Sequence, residues 1–507
     1  MMKVFVAIDS FKGAAGSAAA CRAAADALRE AGVREADVRE FPISDGGEGF
    51  CECIHHYLGG TWIPLSVTGP EGRTVEAKYL IVSSEAPTNR NVSGAGSVSE
   101  AGGISEAGGI SEASGAAPKT AFIESASACG YTLVSAAHPD PREQSTDSAT
   151  RPDPREQSTD SATRPDPREL TSAGVGELIA DAIRRGCTRV VLGLGGTATM
   201  DAGLGLYTAL RNAFSAATGS TFPAPQGSTF PAATGSTFPA PHGSTFPAAT
   251  DTSCPAGAPL GNIEFTVCID TFAPLTGPTG AAYMYGPQKG LRKDQLAEAD
   301  AWLSRQASRL GLSPATPGFG TPGFGAAGGL LCGLTACLRH FAERNAVFPL
   351  CLRQNAEGKG PTLKIVSGAE YLIERSGLKE AVKEAAGKDN ILIITGEGCL
   401  DEQSLTGKLT GRIATLTGKL TGRIATLATE QPPATEQTTE QAAEQSRPRT
   451  KVICLSGSIG QGFDPANSPF DEVLVITPEG TPLSEALAAT ADNIRRTLLD
   501  YCHNHPL

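Results

Sequence analysis

The chain is poor in methionine (4), tryptophan (2) and histidine (7), and aromatic residues make up only 6% of its 507 positions. It has no apolar run near the roughly 18–20 residues that a membrane-spanning helix needs. Its N-terminal apolar stretch, Val4–Ile8, is cut short by Asp9, which leaves too little for the apolar region of a secretory signal. No stripe of Lys or Arg is present and the net charge is −12, which speaks against nucleic acid as a main partner. No membrane partner is expected either. The 13 cysteines are odd in number and lack framework spacing, so they predict reduced thiols in a cytoplasmic protein.

Glycine (59) and proline (35) are abundant, above average usage but below the ~25–30% combined share of a wholly low-complexity chain. With 40% hydrophobic residues, a large core is expected, and at roughly 100–200 residues per domain the length predicts two or three domains. Much of the proline lies in tandem repeats. SEAGGI recurs around Ser99–Ile110, PDPREQSTDSATR at Pro139–Arg151 is copied at Pro152–Arg164, and GSTFPA recurs through Gly219–Thr250. TPGFG occurs twice within Thr316–Gly325, and LTGKLTGRIAT at Leu405–Thr415 is copied at Leu416–Thr426. These repeats are shorter than solenoid units of roughly 20–50 residues and too polar to stack. They predict surface insertions (98–113, 139–168, 219–250), which cost little because loop-closure entropy grows slowly with length. The polar tract Ala428–Arg449 is of the disordered-linker type.

The rest alternates between apolar runs and amphipathic patterns. Val4–Ile8, Val190–Leu194, Phe265–Ile269, Ile391–Ile394, Val452–Leu455 and Val473–Ile476 predict strands. Ser17–Glu30, Gly176–Arg185, Asp294–Leu310, Leu330–Phe341 and Leu483–Tyr501 predict helices. This alternation predicts an α/β fold with a parallel sheet covered on both faces.

In such sheets ligands bind beyond the carboxyl ends of the strands. The residues there are Asp9-Ser10-Phe11-Lys12-Gly13, Asp45-Gly46-Gly47-Glu48, Gly195-Gly196-Thr197 leading to Asp201, Asp270-Thr271, and Glu397-Gly398-Cys399-Leu400-Asp401. Glycine lets backbone amides approach phosphate oxygens. Carboxylates suit Mg²⁺, which takes one or two of them plus substrate phosphates, and a lysine supplies a point charge for a transferring phosphoryl group. The combination points to phosphoryl transfer. A Walker A motif is absent, because Gly407-Lys408 is followed by Leu409. Gly323–Gly328 matches GxGxxG but follows no strand. It reads as a turn whose Gly325 and Gly328 contact phosphate. Cys51-Glu52-Cys53-Ile54-His55-His56 lacks zinc-ligand spacing and reads as a helix.

The chain resembles the bacterial glycerate kinases. The resemblance is carried by IDSFKG (Ile8–Gly13), PISDGGEGF (Pro42–Phe50), VTGPEG (Val67–Gly72), TSAGVGELI (Thr171–Ile179) and GLGGTATMDAG (Gly193–Gly203). It continues through PLTGPTGAAYMYGPQKG (Pro274–Gly290), GAAGGL (Gly325–Leu330), ITGEGCLDEQSLTGK (Ile394–Lys408) and LSGSIG (Leu455–Gly460). Met200, Ala273 and Cys399 depart from the polar residues usual in that family.

The resemblance implies ATP- and Mg²⁺-dependent phosphorylation of D-glycerate to 2-phosphoglycerate, with the 3-position as the alternative. It also implies two lobes with the site in the cleft between them. A Rossmann-like domain would comprise 1–66 and 282–507, and an inserted α/β domain 67–281. A homodimer is one candidate assembly. Asp9 or Asp201 would be the base, with Lys12, Lys289 and Lys408 as the cations; Lys419, in the second repeat copy, is the alternative to Lys408. Ser10, Asp45, Gly46, Glu48, Gly195, Gly196, Thr197, Asp270, Gly325, Gly328, Glu397 and Ser404 would bind substrate or nucleotide. Asp270, Glu397 and Asp401 would face the metal. The competing readings are a nicotinamide- or flavin-dependent oxidoreductase and a sugar-acid-binding protein that has lost catalysis.

Overall fold

A computed structural model describes residues 2–83, 118–134, 165–218, 263–313, 322–344, 362–401, 404, 410, 413, 449–460 and 463–505. The repeat insertions 98–113 and 219–250 lie outside the described residues, as do 139–164 and 428–448. Of the LTGK copies only Thr410 and Ile413 are described, so Lys408 and Lys419 also fall outside.

Among the described residues, eleven strands form two sheets. The first has the order β11 (Glu472–Val475), β10 (Thr450–Ile459), β9 (Asn390–Leu400), β1 (Met2–Ile8), β2 (Val38–Glu40). All its pairings are parallel. The second has the order β3 (Thr61–Thr68), β4 (Thr74–Ser83), β5 (Lys119–Glu124), β6 (Cys187–Leu194), β7 (Glu264–Ile269), β8 (Thr362–Ser367). From β5 to β8 it is parallel, as the apolar runs predict, whereas β3–β4 and β4–β5 are antiparallel. The turn between β3 and β4, closed by the Gly69 amide donating to the Arg73 carbonyl at 2.7 Å, is too short for a parallel crossover. Pro64 sits in β3, the edge strand, where a missing donor is tolerated.

Each predicted strand buries side chains on both faces. Val4, Val6 and Ile8 of β1 pack in a core with the helices Ser17–Glu30 and Thr490–Asn504, while Phe5 and Ala7 join a second core. That second core also takes Val191 and Cys268 from the other sheet, together with the helices Phe50–Leu58, Gly368–Ser376 and Leu378–Ala385. The far side of the second sheet packs on Ala173–Arg184, Leu204–Thr218, Leu296–Arg309 and Leu330–Arg344. Helix, sheet, helix, sheet, helix is therefore the layering, with the middle helices shared by both sheets.

The sheets draw the unit boundaries differently from the sequence. The expected division at 66/67 falls inside β3, and that at 281/282 falls between Ala281 and Ala282, two members of one core. The second sheet runs from Thr61 to Ser367. The helix expected over Leu483–Tyr501 is two, Leu483–Ala488 and Thr490–Asn504. The Thr490 hydroxyl donates back to the Ala486 and Leu487 carbonyls at 3.0 Å, a bond that competes with the helical ladder.

Candidate active site

The loop after β2 carries the first sheet to the second. A Cβ on Gly195, just past β6, would stand 2.7 Å from Gly47 Cα and 3.2 Å from Asp270 Oδ2, so only glycine lets the two loops meet. Gly46 has φ +101° and faces Gly368, the residue after β8. Asp45 is buried, with its Oδ1 accepting from the Gly47 amide at 2.9 Å.

Five predicted residues share one electrostatic environment here: Asp9, Lys12, Asp45, Asp270 and Glu397. They leave from β1, the loop after β2, β7 and β9. In register, Ile8 lies beside Gly396 and the Asp9 amide donates to the Gly396 carbonyl at 2.9 Å, which sets Asp9 and Glu397 at neighbouring strand ends. Burial, then Asp45, pushes the Asp9 carboxyl well above its ordinary range, with Lys12 opposing. Lys12 is exposed in the turn after β1. Asp45 foremost, with Asp9, Asp270 and Glu397, raises its ammonium above the usual lysine value against desolvation. Four carboxylates thus act on one cation where residues of the two sheets meet. Ser10 is adjacent, its amide donating to Asp9 Oδ1 at 2.7 Å and its hydroxyl to the Glu48 carbonyl at 3.4 Å; the Glu48 side chain is exposed.

A second group of contacts is centred on Lys289. Lys289 is 6% exposed, and its Nζ donates to the Thr197 carbonyl at 2.6 Å, Thr197 Oγ1 at 3.1 Å and the Thr199 carbonyl at 2.8 Å. Desolvation lowers its ammonium to about 8. It fastens the Gly195–Thr199 loop from beneath, and the Tyr131 amide donates to the Gly196 carbonyl at 3.3 Å. Asp201 lies further back: Oδ2 accepts from the Ser172 amide, the Ser172 hydroxyl and the Gly205 amide, and Oδ1 from the Gly203 amide, all within 2.8–3.0 Å. It ties together the starts of two helices. Gly325 packs on the Pro274 carbonyl and Gly328 on the Thr199 carbonyl.

Past β9, Asp401 Oδ1 accepts from the Ser404 amide at 2.9 Å and the Ser404 hydroxyl at 3.2 Å. Thr410, which sequence reasoning passed over as part of a repeat, donates its hydroxyl to Glu397 Oε1 at 2.6 Å. Glu124, at the end of β5, was missed because its strand, KTAFIE, is short and borders a repeat-rich stretch; its Oε1 accepts from the Cys51 amide at 2.6 Å. Among the described residues no three His, Cys, Asp or Glu side chains stand close enough to hold a metal by themselves. Nor, among them, is any helix long and apolar enough to cross a membrane.

An α/β enzyme with acids, glycines and lysine at its strand ends is the class this site defines. A family model described as the glycerate kinase family matches residues 4–150, 158–348 and 361–447. The chain belongs to that family and is a nucleotide-using kinase that acts on a hydroxyl group. It is 28% identical over 408 residues to glycerate 2-kinase of Escherichia coli K12, covering 80% of each chain. It is 26% identical over 493 residues to glycerate kinase of Halalkalibacterium halodurans, covering 96% of this chain and 94% of the relative. A solved structure from Salmonella typhimurium LT2, described as a glycerate kinase 2, shares the fold at TM-score 0.54 and 22% identity, covering 99% and 98% of the two chains.

Proposed function

We propose that this chain transfers the γ-phosphoryl group of ATP, with Mg²⁺, to the 2-hydroxyl of D-glycerate, yielding 2-phosphoglycerate and ADP. The observation that carries the proposal is the meeting of Asp9, Lys12, Asp45, Asp270 and Glu397 at strand ends of both sheets. The name of the Escherichia coli relative supports the 2-position.

Asp9 is the better base of the two candidates, because Asp201 spends its oxygens on backbone amides and Ser172. A carboxyl raised toward neutrality transfers protons more effectively at the operating pH. In the reaction Asp9 takes the hydroxyl proton as the new O–P bond forms and the γ-phosphoryl leaves the β-phosphate oxygen. Lys12 supplies positive charge to the transferring group. Gly196 and Thr197 would offer backbone amides to phosphate or carboxylate, on a loop held by Lys289, while the Gly195 amide donates to the Ser125 hydroxyl at 3.4 Å. The donor set fits Mg²⁺: hard carboxylate oxygens without a protein-only cage, as expected of an ion bound by one or two acids plus phosphates. Asp270 and Glu397 would hold it, with Asp401 beside them, and when bound it would neutralise phosphate charge.

The test is ADP release from ATP, Mg²⁺ and D-glycerate, with NMR of the product. We expect the phosphate on C2. Phosphate on C3, or no ADP with tight glycerate binding, would replace this reading.

A further inference from the structure

The helix Phe50–Leu58 belongs to the layer between the two sheets, and the residues just before it carry Asp45 into the site. Its first turn is not capped by its own segment, since Gly49 precedes it without a side chain. The cap comes from the other sheet, where Glu124 Oε1 accepts from the Cys51 amide at 2.6 Å. In the parallel register of β5 and β6, Glu124 lies opposite Gly193. A Cβ on Gly193 would stand 2.5 Å from the Gly46 carbonyl. Glu124 thus sits where the 45–51 segment rests on the second sheet. A serine or asparagine would suffice as a simple cap. The carboxyl stands beside a second one, Glu52, whose Oε1 accepts from Lys78 Nζ at 3.1 Å.

We infer that Glu124 is a positioning residue for phosphoryl transfer: by accepting from the Cys51 amide it docks residues 45–51 onto the second sheet and so sets where Asp45 stands relative to Lys12. The inference rests on the kinase reading above.

Burial, with Glu52 second, pushes the Glu124 carboxyl up to about 8. The groups facing it are Glu52, Cys51 and Cys53 from the helix and Lys78 from β4. Burial raises both thiols well above their usual value, so they stay neutral. A carboxyl raised in the folded state contributes stability that is fully present below its unfolded value of about 4.3 and is lost as the pH rises through its folded value. The docking therefore weakens progressively as the pH rises toward about 8 and levels off above it, where two carboxylates face each other with Lys78 alone between strand and helix.

Glu124→Gln keeps an acceptor for the Cys51 amide and a donor toward Glu52 but cannot ionise. Hydrogen exchange of residues 45–53, corrected for intrinsic rate, is expected to speed up at least about tenfold between pH 6 and 9 in the wild type and to stay level in E124Q. Turnover, scaled to each protein's own pH 7 value, should fall less steeply in E124Q. An E124Q protein whose 45–53 segment loosens over the same pH range as the wild type overturns the inference. Absence of D-glycerate phosphorylation by the wild type would defeat the kinase substrate reading alone, because the exchange measurement needs no substrate.

Discussion

Asp9 and Asp201 are equally buried, each 7% exposed, yet their surroundings differ in kind. Asp201 accepts four hydrogen bonds, whereas Asp9 stands beside other acids and is driven toward its neutral form. Asp201→Asn turns one accepting oxygen into a donor facing other donors. At roughly 1–3 kcal/mol per orphaned buried group, it should destabilise the protein by about 2–4 kcal/mol in denaturant unfolding. Asp9→Asn should leave stability unchanged or slightly raised while lowering turnover by about 10²–10⁴-fold, the usual scale for a general base. The reverse pattern would exchange the two roles.

Lys289 is a third case. Its folded value of about 8 lies below the unfolded lysine value of about 10.4. Its contribution to stability is therefore present above the unfolded value and lost as pH falls through about 8. Lys289→Met should remove that pH-dependent component and orphan the Thr197 and Thr199 carbonyls, costing about 2–4 kcal/mol. The wild-type minus variant difference in unfolding free energy, followed from pH 7 to 10.5, isolates it from the buried thiols. Asp9 and Asp201 are visible in the sequence as charges that follow strands, whereas Lys289 enters only through the family resemblance. Which way each points is decided by contacts from segments distant in the chain, such as Ser172 for Asp201.

At the scale of elements, the sequence was most legible where strands are buried on both faces. The runs at β1, β6, β7, β9 and β10 are continuous and apolar because a parallel strand in a covered sheet has no wet side, while β11, at the sheet edge, is apolar but leaves Val475 exposed. β3 and β4 escaped notice because one edge strand alternates between exposed and half-buried positions and its partner follows through a tight turn. β2, three residues long, carries too little pattern to detect. The strand-end acids and glycines were legible as a group, but the meeting of Gly195 with Gly47 was not, since it depends on how the two sheets face each other. Gly195→Ala tests that contact. The added Cβ would push the 45–47 loop away, and we expect kcat/KM to fall at least about 30-fold with a loss of about 1–3 kcal/mol, typical of overpacking.

At the scale of the whole molecule, the middle helices draw on both sheets, so the two sheets should unfold in one transition. Calorimetry resolving two separate transitions would contradict the shared layer. Deleting 219–250, which carries none of the proposed site residues, should leave turnover within about twofold and shift unfolding by less than about 1 kcal/mol, given how slowly closure entropy varies with loop length.

The sheet order also has a consequence in time. β1 lies between β2 and β9, so its Met2–Ile8 segment pairs along one side with Asn390–Gly396. A ribosome adding about 5–20 residues per second makes the second partner tens of seconds after the first. During that interval Val4–Ile8 has one ladder edge open, the condition under which strands pair wrongly or recruit chaperones. A chain released at residue 385 should therefore leave the β1 amides exchanging freely, and adding 386–507 as a separate piece should restore their protection.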